Sequence, residues 1–320
     1  MRIRLVPHSG LGWPLPCASE MVDKTPSLRQ VDCGVMSYLS MTDTGLGLFD
    51  PSTADKGNEL AVKYQSGEPF PHIVIDDFLP SAALEACLEA FPQAPDPKSR
   101  AFDAPSERKK TQYNPDFLPS HLRSMFYSFN SRPFIGFLEN LTGISGLIPD
   151  PYFLGGGFHE LKTGGHLSVH ADFNKHDQLS LERRINILIY LNKNWTDADG
   201  GQLELWDDDM TRCVQSVVPI FNRAVVFSTT SNSMHGNPNP IAEPNGRSRR
   251  SIALYYYTAT WADQKGHSTL FRARPGDDPQ LPKSGLRKRT RAEHLVRDLL
   301  PPAALRGMEK ARAALLSKRR

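Results

Sequence analysis

The sequence predicts a mainly β domain with supporting helices, of the sandwich or jelly-roll type rather than a parallel α/β sheet. Seven short apolar or β-branched runs follow one another from residue 156 onward, and Gly, Asn and Asp separate them. Amphipathic helical patterns lie mainly before these runs. With 320 residues and 39% hydrophobic content, the chain can bury one sizeable core and carry an extension at either end.

The predicted elements begin after residue 66. A β-branched run from His72 to Ile75 predicts a strand, and Pro80 with Ser81 opens a predicted amphipathic helix. The seven further strands are predicted at residues 156–162, 166–173, 185–192, 201–207, 213–220, 224–230 and 251–260. Residues 1–66 have weak periodicity and many turn formers, so we expect a loosely ordered N-terminal extension. The main domain is then 67–262, followed by a basic, partly helical tail at 263–320.

Positive charge is concentrated in that tail. Residues 281–320 contain twelve Lys or Arg and three acidic residues, a net charge of +9, and because the whole chain carries +3 the remainder carries −6. One interpretation is an anchor for nucleic acid or another polyanion. The other, which we prefer, is a solvated helix, since apolar residues recur in the tail at helical spacing.

Cysteine usage and hydropathy indicate a cytoplasmic protein. The four cysteines show no C-x-x-C pairing, so we expect reduced thiols rather than a disulfide framework or a zinc site. No apolar run approaches the roughly eighteen residues that a membrane span requires. The N-terminal residues also lack the continuous apolar segment of a secretory signal.

The stretch "HLSVHADF" contains a candidate metal site. Side chains two residues apart on a strand share a face, so His170 and Asp172 are expected to converge. An imidazole nitrogen beside a carboxylate oxygen can hold two adjacent positions on a divalent metal ion. One more imidazole would complete the two-histidine, one-carboxylate triad that suits non-haem Fe(II) and leaves positions open for substrates.

The third ligand is expected to be His235. It follows the predicted strand 224–230, from which it could return across a jelly roll. His166 has the same strand parity as His170 but lies roughly 13 Å away along the strand, too far for one metal ion. We therefore interpret His166, and His159 upstream of it, as ordinary polar or pocket-lining residues.

Further motifs flank this site, and together they resemble the iron(II)- and 2-oxoglutarate-dependent oxygenases, in particular the prolyl 4-hydroxylase-like branch. The shared pieces are H-x-D at 170–172, the distal histidine His235, the Arg-x-Ser pattern of Arg249 and Ser251, and "YLNKNW" followed by Gly200 and Gly201. The resemblance extends from residue 70 to 261, about 60% of the chain.

The resemblance implies a double-stranded β-helix, cupin-like in architecture, whose open end holds Fe(II). It implies 2-oxoglutarate and O2 as cosubstrates, with ascorbate as a candidate reductant. The cosubstrate would be converted to succinate and CO2 while an unactivated C–H bond is hydroxylated. The far carboxylate of 2-oxoglutarate would meet Arg249, and the hydroxyl of Tyr190 would contact the same group. Many relatives carry a tyrosine in the strand leading to H-x-D, whereas this chain has "FHELKTGG" there.

Strand parity agrees with these cosubstrate contacts. Asn186 and Tyr190 share one face of their predicted strand, and isoleucines occupy the other. Arg249 and Ser251 likewise share a face, where the small Ser251 leaves room for a ligand and can donate a second hydrogen bond. Arg250 points to the opposite face.

Substrate identity is not determined by these motifs, because one fold serves many substrates. We expect hydroxylation of a prolyl or other side chain of a protein or peptide. The alternative is a tailoring hydroxylase that acts on a small metabolite or a saccharide. A non-catalytic, cupin-like binding module is a more distant alternative, against which the intact triad and the arginine argue.

Overall fold

The computed structural model describes residues 37–41, 49–96, 99–242, 246–259 and 266–277. Within these ranges the α-helices are α1 (Lys56–Gln65), α2 (Ser81–Glu89), α3 (Ser120–Ser128) and α4 (Arg132–Thr142). Short 3-10 helices span Pro51–Asp55, Pro115–Phe117 and Asp197–Asp199. The strands are β1 (His72–Ile75), β2 (Arg100–Ala104), β3 (Glu107–Tyr113), β4 (Ile148–Pro149), β5 (Gly157–Ala171), β6 (Glu182–Tyr190), β7 (Leu203–Trp206), β8 (Cys213–Val217), β9 (Ala224–Ser228), β10 (His235–Asn237), β11 (Arg249–Thr258) and β12 (Leu270–Phe271).

The strands form one antiparallel system that folds into two halves. One half has the order β1-β9-β6-β11-β5 and the other β5-β10-β7-β8. The long strand β5 serves both, because its first part pairs with β11 and its last part pairs with β10. Gly164, with a φ of 77°, lies at the passage between the two parts, a backbone conformation that glycine adopts without strain. This connectivity is that of a double-stranded β-helix and confirms the predicted fold class.

In the first half of the sheet, side chains point alternately to its two faces, and each face packs into a separate apolar layer. Ile185, Ile187 and Ile189 lie on the outer face of β6, where they pack with the phenylalanines of α4 in the largest core cluster. On the inner face, Tyr190 packs with residues of β7 and β9 such as Phe227. Since side chains alternate along a strand, the helices cover one face of the sheet and leave the other to the interior of the barrel.

Several predicted elements agree with the structure and others differ. Strand β1 and the start of α2 lie where they were predicted. The strands predicted at 156–162 and 166–173 are one continuous strand, β5. Strands β2, β3, β4, β10 and β12 were not predicted. Strand β2 is largely exposed and β3 is largely polar, and the other three have only two or three residues, so neither group forms a recognisable periodic pattern.

The described part of the expected N-terminal extension is packed rather than loosely ordered. Helix α1 lies so close to α4 that a Cβ on Gly57 would come within 2.2 Å of the Phe137 carbonyl oxygen. Tyr64 of α1 is buried, and its hydroxyl lies 2.7 Å from Ser228 Oγ. The expectation of loose order was therefore wrong for residues 49–66. Helix α1 is mostly polar, which is why hydrophobic periodicity did not reveal it.

The sheet also continues beyond residue 262. Strand β12 pairs with the end of β5, and Phe271 lies opposite His170. Residues 266–277 therefore belong structurally to the barrel, although the sequence assigned them to the tail. The basic segment 281–320 and most of the N-terminal extension lie outside the described residues.

No helix in the described ranges combines the length and apolar character needed to cross a lipid bilayer. Of the four cysteines, Cys87 and Cys213 lie in described segments, and both are free thiols there.

Candidate active site

Two neighbouring strands bring His170, Asp172 and His235 together. His170 on β5 is paired directly with His235 on β10, and Asp172 follows the end of β5. Asp172 Oδ1 lies 3.5 Å from His170 Nε2, and Asp172 Oδ2 lies 3.3 Å from His235 Nε2. One ligand atom from each residue falls within 4.8 Å of the others, a spacing that can hold a metal ion. Among the described residues, this is the one group of three potential metal ligands whose ligand atoms lie that close together.

Backbone contacts fix the orientation of both imidazole rings. His170 Nδ1 lies 2.9 Å from the Ser168 carbonyl oxygen, and His235 Nδ1 lies 2.9 Å from the Ser233 carbonyl oxygen. A carbonyl only accepts, so each Nδ1 donates and carries the proton. In the neutral ring each Nε2 then has a lone pair directed at Asp172. Three electron-pair donors converge at a buried point, and a divalent cation there would satisfy all three.

The far side of the Asp172 carboxylate is held by two polar residues. Asn186 Nδ2 donates to Asp172 Oδ2 at 2.6 Å, and the Arg183 guanidinium lies 3.0 Å from the same oxygen. Arg183 Nε also donates to Asn186 Oδ1 at 2.8 Å. Burial alone would raise the pKa of Asp172, but the positive charge of the buried Arg183 guanidinium beside it holds the pKa of this carboxyl well below its usual range. Asp172 is therefore anionic, with Oδ1 left free for a metal.

Arg183 was not identified from the sequence, and the reason is a β-bulge. Tyr256 pairs with Ile185 and Tyr257 pairs with Arg183, so one residue of β6 is skipped between them. The bulge reverses the expected alternation and turns Arg183 inward. There its guanidinium stacks on the Tyr255 ring, with the guanidinium carbon 3.5 Å from the ring centroid. Simple strand parity would have placed it on the opposite face.

We predict that replacing Arg183 with Met destabilises the metal-free protein by about 3–5 kcal/mol, because Asp172 would be left as a buried charge without its cation. The measurement is urea unfolding. Since the pKa of Asp172 is lowered in the folded state, the difference should be full at neutral pH and shrink as the carboxyl is protonated at acidic pH.

The neighbouring arginine provides the control for that prediction. Arg184 is more exposed and lies 3.9 Å from Glu182, so Arg184→Met should change the free energy of unfolding by no more than about 1 kcal/mol. Equal effects of the two substitutions would show that Arg183 does not stabilise the charge on Asp172.

A cavity opens from the three residues into the barrel. Its empty volume is about 530 Å³, including the open mouth. Its walls carry apolar side chains together with a few polar groups, as is usual for small-molecule sites. The polar and charged lining residues other than the three potential ligands are Lys110, His159, Asn186, Asn237, Arg249, Ser251 and Tyr255.

Arg249 is a buried cation in the wall of this cavity. Its Nε donates to the Gly201 carbonyl at 2.7 Å, and its guanidinium carbon lies 4.9 Å from the ring centroid of Tyr190. No carboxylate of the described residues contributes to its electrostatic environment, and burial lowers its pKa. A side chain at Gly201 would come within 2.8 Å of Arg249 Cδ, so glycine leaves the space that the arginine occupies. An anionic ligand would supply the charge that Arg249 lacks.

The other predicted cosubstrate residues lie beside Arg249. Tyr190 and Ser251 are paired across β6 and β11, and Ser251 lines the cavity. The Tyr190 hydroxyl is 3.4 Å from Arg249 NH2. The structure thus brings all three together, with Arg249 and Ser251 in the wall of the cavity that the two histidines also line and Tyr190 buried beside Arg249.

The two rejected histidines have other contacts. His166 Nε2 donates to the Pro105 carbonyl at 3.1 Å, outside the group of potential ligands. His159 lines the cavity, and its Nε2 donates to the Gly155 carbonyl at 2.8 Å. Burial, followed by nearby Lys110, lowers the pKa of His159 well below its usual value, so the ring is neutral.

Residues 156–281 match the family model of the 2OG-Fe(II) oxygenase superfamily. The matched segment contains the three converging residues and Arg249. This part of the chain is therefore similar to the 2OG-Fe(II) oxygenase superfamily, a family that uses Fe(II), 2-oxoglutarate and O2.

Individual relatives match at lower coverage. The prolyl 3-hydroxylase OGFOD1 of Mus musculus is 33% identical over 86 residues, which are 26% of this chain and 15% of that protein. The match thus spans only about a seventh of the curated relative. A prolyl-4-hydroxylase structure from Pseudomonas putida has 16% identity, covers 65% of this chain and 100% of its own, and gives a TM-score of 0.42. HygX from Streptomyces hygroscopicus, with nickel and 2-oxoglutarate bound, has 12% identity, coverages of 67% and 96%, and a TM-score of 0.46.

Proposed function

We propose that the protein is an Fe(II)- and 2-oxoglutarate-dependent dioxygenase that hydroxylates an unactivated C–H bond. The observation that carries the proposal is the arrangement of charge in one cavity. Three converging donor groups mark one part of it, and the uncompensated Arg249 lines another. A dicarboxylate with a 2-oxo group could chelate a metal ion at the first part and pair with the guanidinium at the second.

The residues present fit an iron ion. His170, Asp172 and His235 would hold it, and two imidazoles with one carboxylate are the donor set that suits non-haem Fe(II). When bound, the iron would supply the redox chemistry that couples oxidation of 2-oxoglutarate to hydroxylation. Asn186 and Arg183 keep the carboxylate oriented, because both contact Asp172 Oδ2 rather than Oδ1.

Arg249 and its neighbours would bind the far end of the cosubstrate. A planar guanidinium can hold a carboxylate with two parallel hydrogen bonds. The hydroxyls of Tyr190 and Ser251 lie on the adjoining strands and would add neutral donors. Leu188 and Phe227 line the same cavity and would exclude water from the methylene groups between the two ends.

For the acceptor we propose a prolyl or other side chain of a protein or peptide. The local similarity to a prolyl 3-hydroxylase supports this choice. Hydroxylation of a small metabolite or a saccharide is the alternative. The low pKa of Asp172 and the uncompensated Arg249 argue against a binding module without a metal.

The test of the proposed reaction is succinate formation from 2-oxoglutarate with Fe(II) and ascorbate. Peptide libraries and metabolite extracts are then screened separately by mass spectrometry for the gain of one oxygen atom. We expect succinate to form in the first assay. In the screens, we expect a prolyl peptide to gain the oxygen atom. Oxygen gain confined to the metabolite pool would replace the peptide assignment by the alternative, and absence of succinate under all conditions would refute the dioxygenase.

The location and the tail also belong to this proposal. We place the protein in the cytoplasm, in agreement with the reduced state expected for its cysteines. Contact between the basic tail and a polyanion is the less favoured of the two interpretations. If such contact occurs, its affinity should fall steeply with added salt, because neutralising contacts of this kind are screened.

We predict that removal of residues 281–320 leaves substrate-independent conversion of 2-oxoglutarate within about twofold of the full chain. The reason is that the family match ends at residue 281, and the three potential ligands and Arg249 lie upstream of it. The measurement compares succinate formation by the two proteins at equal iron loading. A truncated protein that is folded and binds iron but no longer forms succinate would contradict the prediction.

A further inference from the structure

We infer that Asn237 donates a hydrogen bond to the carboxylate of 2-oxoglutarate that lies nearest to the metal, an inference that rests on the proposed function. Asn237 is buried in the wall of the cavity. Its Nδ2 has no hydrogen-bond partner among the described residues. Buried amide groups are nearly always paired, so an unpaired donor in a ligand cavity indicates a partner that arrives with the ligand.

Three other polar residues of the cavity wall already have partners within the protein. Lys110 Nζ lies 2.8 Å from Glu107 Oε1, His159 donates to the Gly155 carbonyl, and Asn186 donates to Asp172. Among the described side chains with buried, unpaired nitrogen or oxygen atoms, Asn237 is the one that lines the cavity. Because Arg249 and Ser251 would bind the far carboxylate, Asn237 is the remaining buried donor of the wall without a partner.

Strand register decides which end of the cosubstrate Asn237 can reach. It lies two residues after His235 on β10 and pairs with Leu167, three residues before His170 on β5. Arg249 instead pairs with Leu161, at the other end of the same strand. Asn237 is thus close to the metal-binding residues in sequence and register, and Arg249 serves the opposite end. The carboxylate beside the metal is the acceptor that remains.

This assignment also addresses the departure at "FHELKTGG". The strand that leads to the H-x-D motif carries His159 at the cavity instead of a hydroxyl donor, and His159 uses its Nε2 proton on a backbone carbonyl. The Asn237 amide, on the neighbouring strand β10, supplies a neutral donor to the same cavity.

Binding without turnover provides the test. Ni(II)-loaded protein is titrated by calorimetry with 2-oxoglutarate and with 2-oxopentanoate, which has a methyl group in place of the far carboxylate. For Asn237→Leu we expect about fivefold to twentyfold weaker binding of both compounds, as the loss of one buried hydrogen bond predicts. Arg249→Ala should strongly weaken the binding of 2-oxoglutarate and should change the binding of 2-oxopentanoate little. Asn237→Ser, which keeps a donor, should recover part of the loss.

Two further readouts separate a ligand contact from a structural role. The melting temperature of metal-free Asn237→Leu should equal or exceed that of wild type, because an unpaired amide is replaced by an apolar group of similar size. Ni(II) affinity in the absence of a cosubstrate should be unchanged. Asn239→Leu, in the same segment but outside the cavity wall, is the matched control and should bind both compounds like wild type.

The outcomes distinguish this inference from the proposed function. If wild type and Arg249→Ala behave as expected while Asn237→Leu binds 2-oxoglutarate like wild type, the contact of Asn237 is overturned and the proposed function stands. If Asn237→Leu weakens the binding of 2-oxoglutarate but not that of 2-oxopentanoate, the inference is also overturned, because Asn237 would then contact the far carboxylate. If wild type binds neither compound, the proposed function itself fails.

Discussion

Replacing His235 with Ala is expected to lower Fe(II) affinity more than a hundredfold and to abolish 2-oxoglutarate turnover. The Nε2 atom of His235 is one of three donors that converge within 4.8 Å, and the other two cannot take its place. Loss of a residue that merely hydrogen-bonds to a metal ligand typically costs about 10- to 100-fold in affinity, so loss of a ligand should exceed that range. His170→Ala and Asp172→Ala should behave alike. Iron content after anaerobic loading, together with succinate formation, provides the measurement.

His166→Ala is the matched control for the three ligand variants. The residue lies on the same strand as His170 but contacts the Pro105 carbonyl, so the variant should bind iron as wild type does. Iron loss in His166→Ala to the same degree as in His170→Ala would mean that the wrong histidine has been chosen. Normal turnover in both His170→Ala and His235→Ala would show that these residues do not form the metal site.

Replacing Arg249 with Ala is expected to weaken 2-oxoglutarate binding by about ten- to a hundredfold. A charge-assisted hydrogen bond contributes roughly 1.5–3 kcal/mol, and the guanidinium can form two of them with one carboxylate. Arg249→Lys should recover only part of the affinity, because a single ammonium group cannot reproduce the planar pair of donors. The dissociation constant of 2-oxoglutarate, determined on Ni(II)-loaded protein, is the quantity to compare.

Two neighbouring arginines serve as controls. The Arg247 side chain is partly exposed and donates to the Lys193 carbonyl, while Arg250 faces away from the cavity, with its guanidinium carbon 4.4 Å from the Phe91 ring centroid. Alanine at either position should leave the dissociation constant within about twofold of wild type. A large loss in Arg250→Ala with none in Arg249→Ala would contradict the strand register that places Arg249 in the cavity.

Strand parity in regular segments predicted much of the site. In β11, which has no irregularity near Arg249, the alternation that places Arg249 and Ser251 on one face holds in the structure. The same is true of Asn186 and Tyr190 at the regular end of β6. In such segments each residue has one direction, so the sequence alone indicates which side chains share a cavity.

Irregular segments account for what the sequence did not reveal. The bulge in β6 turns Arg183 toward Asp172, and register shifts separate His235 from Asn237 on β10 and Arg108 from Lys110 on β3. One extra residue in a ladder reverses the direction of the side chains that follow, and no local pattern marks it.

The packed helix α1 and the two-residue strand β12 were missed for a different reason. Each is stabilised by contacts with distant parts of the chain, such as the pairing of Phe271 with His170, rather than by a local apolar pattern.

The most direct test of the central claim is an anaerobic titration of the Fe(II)-loaded protein with 2-oxoglutarate, followed by visible absorption. Chelation of ferrous iron by the 2-oxo acid produces a charge-transfer band, which a molecule bound elsewhere does not. We predict that the band appears with one equivalent of 2-oxoglutarate, requires much higher concentrations in Arg249→Ala, and is absent in His235→Ala. Saturable binding of 2-oxoglutarate to the wild-type protein without the band, or a band of full intensity in His235→Ala, would contradict the account.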